Sequence, residues 1–371
     1  MRPATETELS ETVRNATDAL RVAGGGTRAI GALPRGEVLE TAGLSGVTLY
    51  EPGALTLVAR AGTPINEIAA LLASENQRLA FEVPDMRGLL GRQGVSTAGG
   101  VVAANASGPR RVQAGACRDN LLGVRFVDGT GTVIKNGGRV MKNVTGYDLV
   151  KLMAGSHGAL GVLTEVSFRL QAVPEAEASL CLPGLTATEA VAAMATALTS
   201  PFDISGAAWI EGAALIRVEG MAGSVAYRVA ELRKRLPGAE VLEADASACR
   251  WATVRDVAPF AGAEGAVWRL SLRASMAAGM LWALAQAGLV HRRVMMDWGG
   301  GLLWLLVEDA GDAGARLIRG TLAPLGGHAT LVRGPAHVPA FAPESAAVGA
   351  LTAGLCLKFD PRGLFNKGAA G

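Results

Sequence analysis

The chain is poor in the residues that most directly declare a chemistry. Its four cysteines, Cys117, Cys181, Cys249 and Cys356, stand far apart with no paired spacing, which excludes a zinc or iron–sulfur ligand set and a disulfide scaffold. Only four histidines are present, and a solitary histidine is more often a surface or satisfied core residue than a base. His291 and His337 stand alone, and His328 follows Gly326-Gly327. Thirty-five basic residues are balanced by 33 acidic ones and scattered along the chain, so neither nucleic acid nor an anionic membrane is expected as a partner recognised through a charge patch. The densest apolar stretch, residues 302–307, is far short of the ~20 residues that cross a bilayer. Residues 1–20 are rich in Glu and Thr and carry no apolar run, so no signal peptide or membrane insertion is expected and a reducing cytoplasm fits best. A Gly-Lys-Ser/Thr ending is missing from every glycine loop, which removes nucleoside triphosphate chemistry, and no G-x-G-x-x-G spacing with a following acidic residue marks a plain dinucleotide fold.

Apolar residues and glycine are what the chain has in quantity. Half of its 371 residues are apolar, enough to bury a large core, and the length predicts two domains or one with a large insertion. Five glycine-bearing loops punctuate the first 165 or so residues, about twice what average glycine usage predicts. The first is Gly24-Gly25-Gly26-Thr27-Arg28, after a short strand at residues 20–23 that follows a helix at about 6–16 capped by Thr5. Consecutive glycines can expose successive N–H groups to an anion, although a plain strand-ending turn reads the same residues. Strands are expected at 37–41, 47–51 and 56–61, then a helix with Thr63 as N-cap and Pro64 at its first position. The stretch Thr97-Ala98-Gly99-Gly100, ending in Asn105 and Gly108, allows either close backbone packing or approach of a phosphate-bearing ligand. Next come Gly115-Ala116-Cys117-Arg118-Asp119, a hairpin of residues 121–127 and 132–135, and a helix capped by Asp148. Gly158-Ala159-Leu160-Gly161-Val162 then enters a strand ending near Leu170.

The order and content of these loops resemble the vanillyl-alcohol-oxidase, or PCMH-type, FAD-binding family. The resemblance rests on Gly-Gly-Gly-Thr, Pro84 ahead of Thr-x-Gly-Gly with Asn105 and Gly108, Gly-x-x-Arg-Asp, and Gly-x-Leu-Gly. Within the family the chain is most similar to the smaller FAD-binding subunits of bacterial glycolate oxidases, through Arg139-Val140-Met141-Lys142-Asn143-Val144-Thr145-Gly146-Tyr147-Asp148 and the tail Phe359-Asp360-Pro361-Arg362-Gly363. The resemblance implies an α+β fold: a PCMH-type FAD-binding domain over residues 1–173 with subdomains split near 52, a cap over 174–343, and a segment, 344–371, returning to the first domain. It implies FAD with the pyrophosphate between Gly24, Gly25, Gly26, Thr27 and Arg28 on one side and Thr97, Gly99, Gly100, Asn105 and Gly108 on the other. Pro84, Gly115, Arg118, Asp119, Gly158, Gly161 and Val162 complete the implied site. Read by themselves, Arg118 and Asp119 are equally a local salt bridge. Relatives that attach FAD covalently do so through a His beside the first loop, and Thr27-Arg28 stands there instead, so non-covalent FAD is expected. Where relatives commonly show Asn-Pro-Gly, the tail reads Phe365-Asn366-Lys367-Gly368.

From about Pro174 strands and helices alternate in two successive sets, which predicts an antiparallel sheet backed by helices, of doubled split-βαβ type. In the family such a domain caps the substrate. Oxidising a 2-hydroxy acid needs a base for the hydroxyl proton and cations for the carboxylate. Relatives acting on D-lactate or D-2-hydroxyglutarate carry a His-x-Gly-Asp-Gly-Asn-x-His segment that this chain lacks, so no catalytic residue and no metal ligand is nominated. Trp298 and Trp304 flank a glycine turn and suit a hairpin core better than flavin stacking. The resemblance implies a subunit that helps convert glycolate to glyoxylate beside a larger flavin subunit and an iron–sulfur subunit, in the cytoplasm and at the inner membrane surface through those partners. A stand-alone D-2-hydroxy-acid dehydrogenase and a structural flavin-containing subunit are the alternatives.

Overall fold

The computed structural model describes residues 1–139 and 146–366, so the 140–145 part of the Arg139–Asp148 motif and the tail from Lys367 lie outside the described residues. The apolar segments of the first half pair into two sheets. Strands β1 (Leu20–Ala23) and β2 (Glu37–Glu40) run parallel, with Leu20 opposite Glu37. The second sheet holds β3 (Val47–Glu51), β4 (Thr56–Arg60), β5 (Gln77–Leu79), β6 (Leu121–Val127), β7 (Val133–Gly137) and β8 (Val162–Ala172). Its order is β3-β4-β8-β6-β7, with β5 also paired to β8. A split expected near residue 52 would cut this sheet, because β3 pairs antiparallel with β4; the break between the two sheets falls earlier, between β2 and β3.

One face of the six-stranded sheet packs Leu57, Ala59, Phe126, Val166 and Phe168 against Ile68 and Leu72 of the helix Ile65–Ala73 and Val101 and Val102 of the helix Ala98–Ala103. Each large apolar side chain so buried contributes roughly 1.5–3 kcal/mol. Thr63 does not cap the first of these helices: Pro64 occupies the N-cap position, while the Thr63 hydroxyl donates to the carbonyls of Arg60 and Gly46 and accepts from Gly46 N–H. The hydroxyl ties β4 to the turn before β3 instead.

After β8 the chain builds a single antiparallel sheet from β9 (Ala176–Leu182), β10 (Ile204–Ile210), β11 (Ala213–Gly220), β12 (Glu240–Glu243), β13 (Ala266–Ser271), β14 (His291–Asp297), β15 (Leu302–Val307) and β16 (His328–Arg333). The order β12-β9-β11-β10-β14-β15-β13-β16 is two copies of one strand order, 4-1-3-2, joined back to back through β10 and β14. Helices Ala187–Leu198, Ala222–Arg235, Ala277–Gln286 and Ala315–Leu322 share the large core of one face. Ala187–Leu198 opens with a reciprocal capping box between Thr186 and Glu189. The other face carries Ala208, Ile210, Val267, Met295 and Trp304 and meets Leu89 of the first domain.

The chain then returns. A helix, Ala346–Phe359, leaves Val348, Leu351 and Leu357 exposed, and after it Leu20 N–H donates to Leu364 O and Asn366 N–H to Leu20 O, so the tail lies along β1. Apolar composition without a charged face hid this helix from the sequence reading.

Candidate functional site

Between the two-stranded sheet, the helix Ala98–Ala103 and the turn before β8 lies a cleft of about 370 Å³. Gly24, Gly25, Gly26, Thr27, Arg28, Thr97, Gly99, Gly100, Gly158 and Gly161 all line it, as do Arg21, Arg92, Ser156, His157, Phe341 and Asn366. The glycines are there because two backbones touch. A Cβ on Gly25 would stand 1.5 Å from Val95 O, and one on Gly24 2.6 Å from Thr97 Oγ1. Gly99 abuts Ala61, whose carbonyl accepts its N–H at 2.7 Å. The two readings of the Thr97 stretch are therefore both in use: Gly99 is a packing glycine, while Gly100 borders the cleft. The first turn of that helix is already spoken for, since Ala98 N–H donates to Thr63 O and Gly100 N–H to Thr97 Oγ1.

Open donors sit on the other wall. Among the described residues the N–H groups of Gly25, Gly26, Thr27 and Arg28 reach no protein acceptor. Beside them Arg28 donates from Nη1 to Ser96 Oγ at 2.5 Å and from Nη2 to Pro84 O at 2.7 Å, and among the described residues it makes no salt bridge. Burial pushes its pKa down to about 10, which still leaves it charged at neutral pH. The Nε atoms of Arg21, Arg28 and Arg92 and the Oγ of Ser156 are buried without a partner. All four belong to residues on the cleft, and buried donors left unpaired cost about 1–3 kcal/mol each. A diphosphate in this cradle would engage the open N–H groups and guanidinium donors together. The residues present thus fit the pyrophosphate of FAD.

The remaining expected residues lie off the cleft lining. Pro84 supports Arg28 through its carbonyl. Asn105, at φ +45, accepts Arg118 N–H on its Oδ1 and so closes the loop behind the helix. Gly108 donates to Glu82 O and accepts from Trp298 Nε1. Gly115, at φ +80, leaves room for Asp119, whose carboxylate accepts Ala116 N–H. Arg118 and Asp119 are exposed and 3.8 Å apart, a local pair. Val162 is fully buried behind the cleft against the N-terminal helix.

Sequence reasoning missed the residues that join the two domains. Arg217 donates to Glu82 at 2.8 Å, and Arg78 and Arg110 each to Glu219 at 2.7 Å, with the Arg110, Arg217 and Glu219 side chains at most 6% exposed. Burial alone would raise both carboxyls, yet Arg217 and Arg110 outweigh it and hold Glu82 and Glu219 below the usual range. The one available signal was Arg217 and Glu219 at alternate positions of an otherwise apolar strand, facing the same way. Trp304 is buried in the core beside the hairpin, and Trp298 packs half-buried against the same cluster while its Nε1 also reaches this seam.

A glycine cradle with unpaired donors beside a six-stranded sheet, in a chain whose second half builds an antiparallel sheet backed by helices, is the α+β arrangement of an FAD-binding protein. The family described as "FAD binding domain" matches residues 1–137. Glycolate oxidase subunit GlcE of Escherichia coli K12 is 36% identical over 334 residues, 90% of this chain and 87% of that protein. The chain belongs to the GlcE family of glycolate oxidase subunits, among FAD-linked oxidoreductases. Glycolate oxidase subunit GlcD of Bacillus subtilis is 40% identical over 86 residues, 23% of this chain and 18% of that one. An alkyldihydroxyacetonephosphate synthase structure superposes on 99% of this chain and 76% of its own with a TM-score of 0.71 at 16% identity, a likeness of fold.

Proposed function

We propose that the chain is the FAD-holding subunit of a glycolate-oxidising assembly that yields glyoxylate, working beside a larger flavin subunit and an iron–sulfur subunit. The observation that carries this reading is the cleft, where four open N–H groups and three orphaned guanidinium Nε atoms surround the place a pyrophosphate would take. FAD, when bound there, supplies the acceptor for the two electrons of the hydroxy acid. The chain's own part is to hold that group without a covalent bond: Arg28 and the residues 24–28 backbone grip the phosphates, and Gly158 and Gly161, which line the cleft, pack their backbone against Asn366 and Val127. His157, lining the cleft next to the Phe341 ring at 5.5 Å, is kept neutral by burial.

Among the described residues no three His, Cys, Asp or Glu side chains gather as a metal site requires, and the base that removes the hydroxyl proton is best sought on the larger subunit. The uncovered apolar helix Ala346–Phe359 favours a chain that works inside an assembly. None of the described helices is long and apolar enough to cross a membrane. On this reading the chain works in the cytoplasm and reaches the inner membrane surface through its partners.

The test is spectroscopic. Purified alone, the chain should carry an oxidised-flavin spectrum that denaturation releases into solution. Anaerobic glycolate should leave that spectrum unbleached until the larger subunit is added. Bleaching by the isolated chain would instead make it a self-sufficient 2-hydroxy-acid dehydrogenase, and a colourless protein that FAD cannot reconstitute would end the flavin reading. Full turnover by an assembly whose flavin in this subunit has been removed would reduce the cofactor to a structural part.

A further inference from the structure

The seam between the domains holds two cations that make no salt bridge among the described residues. Arg111, in the first turn of the short helix Arg111–Ala114, places its Cζ 4.4 Å from the centroid of the Trp298 ring. Arg269, on β13 of the cap, places its Cζ 5.3 Å from the same centroid. Among the described residues neither guanidinium makes a salt bridge, and neither donates a hydrogen bond to a protein acceptor, in contrast to Arg78, Arg110 and Arg217 nearby, each of which pairs with a carboxylate. Two like charges around one indole repel, and a protein tolerates that arrangement when an anion completes it.

The platform is fixed from both sides. Trp298 sits at φ +55, its N–H donates to Asp297 Oδ1 at 2.7 Å, and its Nε1 donates across the seam to Gly108 O at 3.1 Å. That Gly108 ends the stretch whose other end, Thr97 to Ala104, lines the cleft, so the cluster and the cleft are built on one continuous piece of backbone. Asp119 attracts Arg111 from beyond salt-bridge distance and is paired with Arg118 instead. Burial drives Asp297 up to about 8, so it is largely protonated at pH 7, and burial together with Arg269 and Arg111 holds His328 below its ordinary value, leaving it neutral.

We propose that Arg111 and Arg269, gathered around Trp298 at the domain seam, form a binding site for a small carboxylate, and that the acid group of a 2-hydroxy or 2-oxo acid is its ligand. Guanidinium forks match a planar carboxylate through paired N–H donors, and the indole supplies an apolar wall against which a two-carbon acid can lie. The chain would then hold the acid as well as the flavin. This inference rests on the flavin reading, since it takes the ligand's class from it.

Calorimetric titration of the FAD-loaded chain with oxalate, a planar acid that cannot be oxidised in the same way, tests it. One saturable site is expected, with Arg269→Met and Arg111→Met each weakening it at least tenfold while FAD content and melting temperature hold, and Arg269→Lys weakening it less. No saturable binding to the FAD-loaded wild type, or unchanged binding in both methionine variants, would overturn the proposal. So would equal displacement by sulfate, which would mark a general anion site. If the methionine variants lose their flavin, arginine modification of the wild type by phenylglyoxal decides: protection of Arg111 by oxalate supports the site, and equal labelling with and without oxalate overturns it. A chain that takes up no FAD fails the flavin reading, whereas one that takes up FAD and ignores oxalate fails this inference alone.

Discussion

At position 25 the backbone itself forbids a side chain, because any Cβ would overlap Val95 O. That is a packing constraint, yet its consequence is chemical: with no side chains over residues 24–26, the N–H groups there stay open to a ligand. Arg28 is the one charged group that joins this wall and also reaches across to the other, through Ser96 and Pro84. Arg28→Met should therefore lower FAD affinity by about 10- to 100-fold, the worth of ~1.5–3 kcal/mol for hydrogen bonds to a charged group, measured by equilibrium dialysis of the apoprotein. Arg28→Lys should recover only part of it, since an ammonium lacks the fork that spans two acceptors. Asp297 offers a prediction of another kind. Burial lifts its folded pKa to about 8 against ~3.9 for an unfolded chain, so between those values the folded state holds a proton the unfolded state has lost. Its contribution to stability thus falls as pH rises from about 4 to 8. Asp297→Asn, which can keep the bond from Trp298 N–H, should be more stable than wild type by roughly 5 kcal/mol at pH 8 and by less than about 1 kcal/mol at pH 4, read from urea melts at both.

Elements were the most legible scale, and their failures are informative. Residues 20–23 and 302–307 could be read as strands to the residue because apolar β-branched or leucine-rich runs end there at glycine or charge. Thr63 was misread because the Thr-Pro pattern fits a helix start equally well when the hydroxyl is used elsewhere, here by Gly46 and Arg60. The return of the tail to the first domain was expected from the family resemblance alone, since its pairing with β1 joins residues more than 340 apart and local pattern carries no trace of such a contact. Asn366 is the rivet of that join: its Oδ1 accepts Val22 N–H at 2.8 Å, its Nδ2 donates to His157 O at 2.6 Å, and its own φ is +38. Both partners lie on the cleft. Asn366→Ala should cost about 1–3 kcal/mol of stability, by leaving a strand N–H and a carbonyl unpaired and by forcing a side chain without a polar end into left-handed backbone. Faster loss of FAD on dilution should accompany it, followed by flavin fluorescence. Unchanged flavin release would mean that the tail fastens β1 without shaping the cleft.

For the whole molecule, the pieces could be read in the sequence while the joint between them could not. Glycine loops announce themselves locally, and so the cradle residues 24–28 and Thr97 to Gly100 were visible before any coordinates; Arg21, Arg92 and Ser156 were not, because nothing in a strand or loop sequence says that an arginine's Nε will be buried unpaired. The joint is harder still. Glu82, Arg110 and the Arg217–Glu219 pair come from three places in the chain, and only Arg217 and Glu219 hint at one another. Their energetics nevertheless govern how the two domains behave together. An exposed pair such as Arg250 with Glu211 is worth at most about 1 kcal/mol, whereas removing one partner of a buried pair costs roughly 3–5 kcal/mol because it strands the other charge. Glu82 and Glu219 have depressed folded pKa values, so they bind protons less readily folded than unfolded. The stability they contribute is full above about 4.5 and is lost as pH falls below it. Wild-type protein should unfold in one cooperative calorimetric transition at pH 7, held as one body by this network. Glu219→Gln should lower its stability by roughly 3 kcal/mol at pH 7, flatten the loss on the acid side, and separate the first domain from the cap into two transitions, while Glu211→Gln changes none of these. A single undivided transition in Glu219→Gln would show instead that the apolar contact of Leu89 with Phe260 and Trp251 is enough to couple the domains.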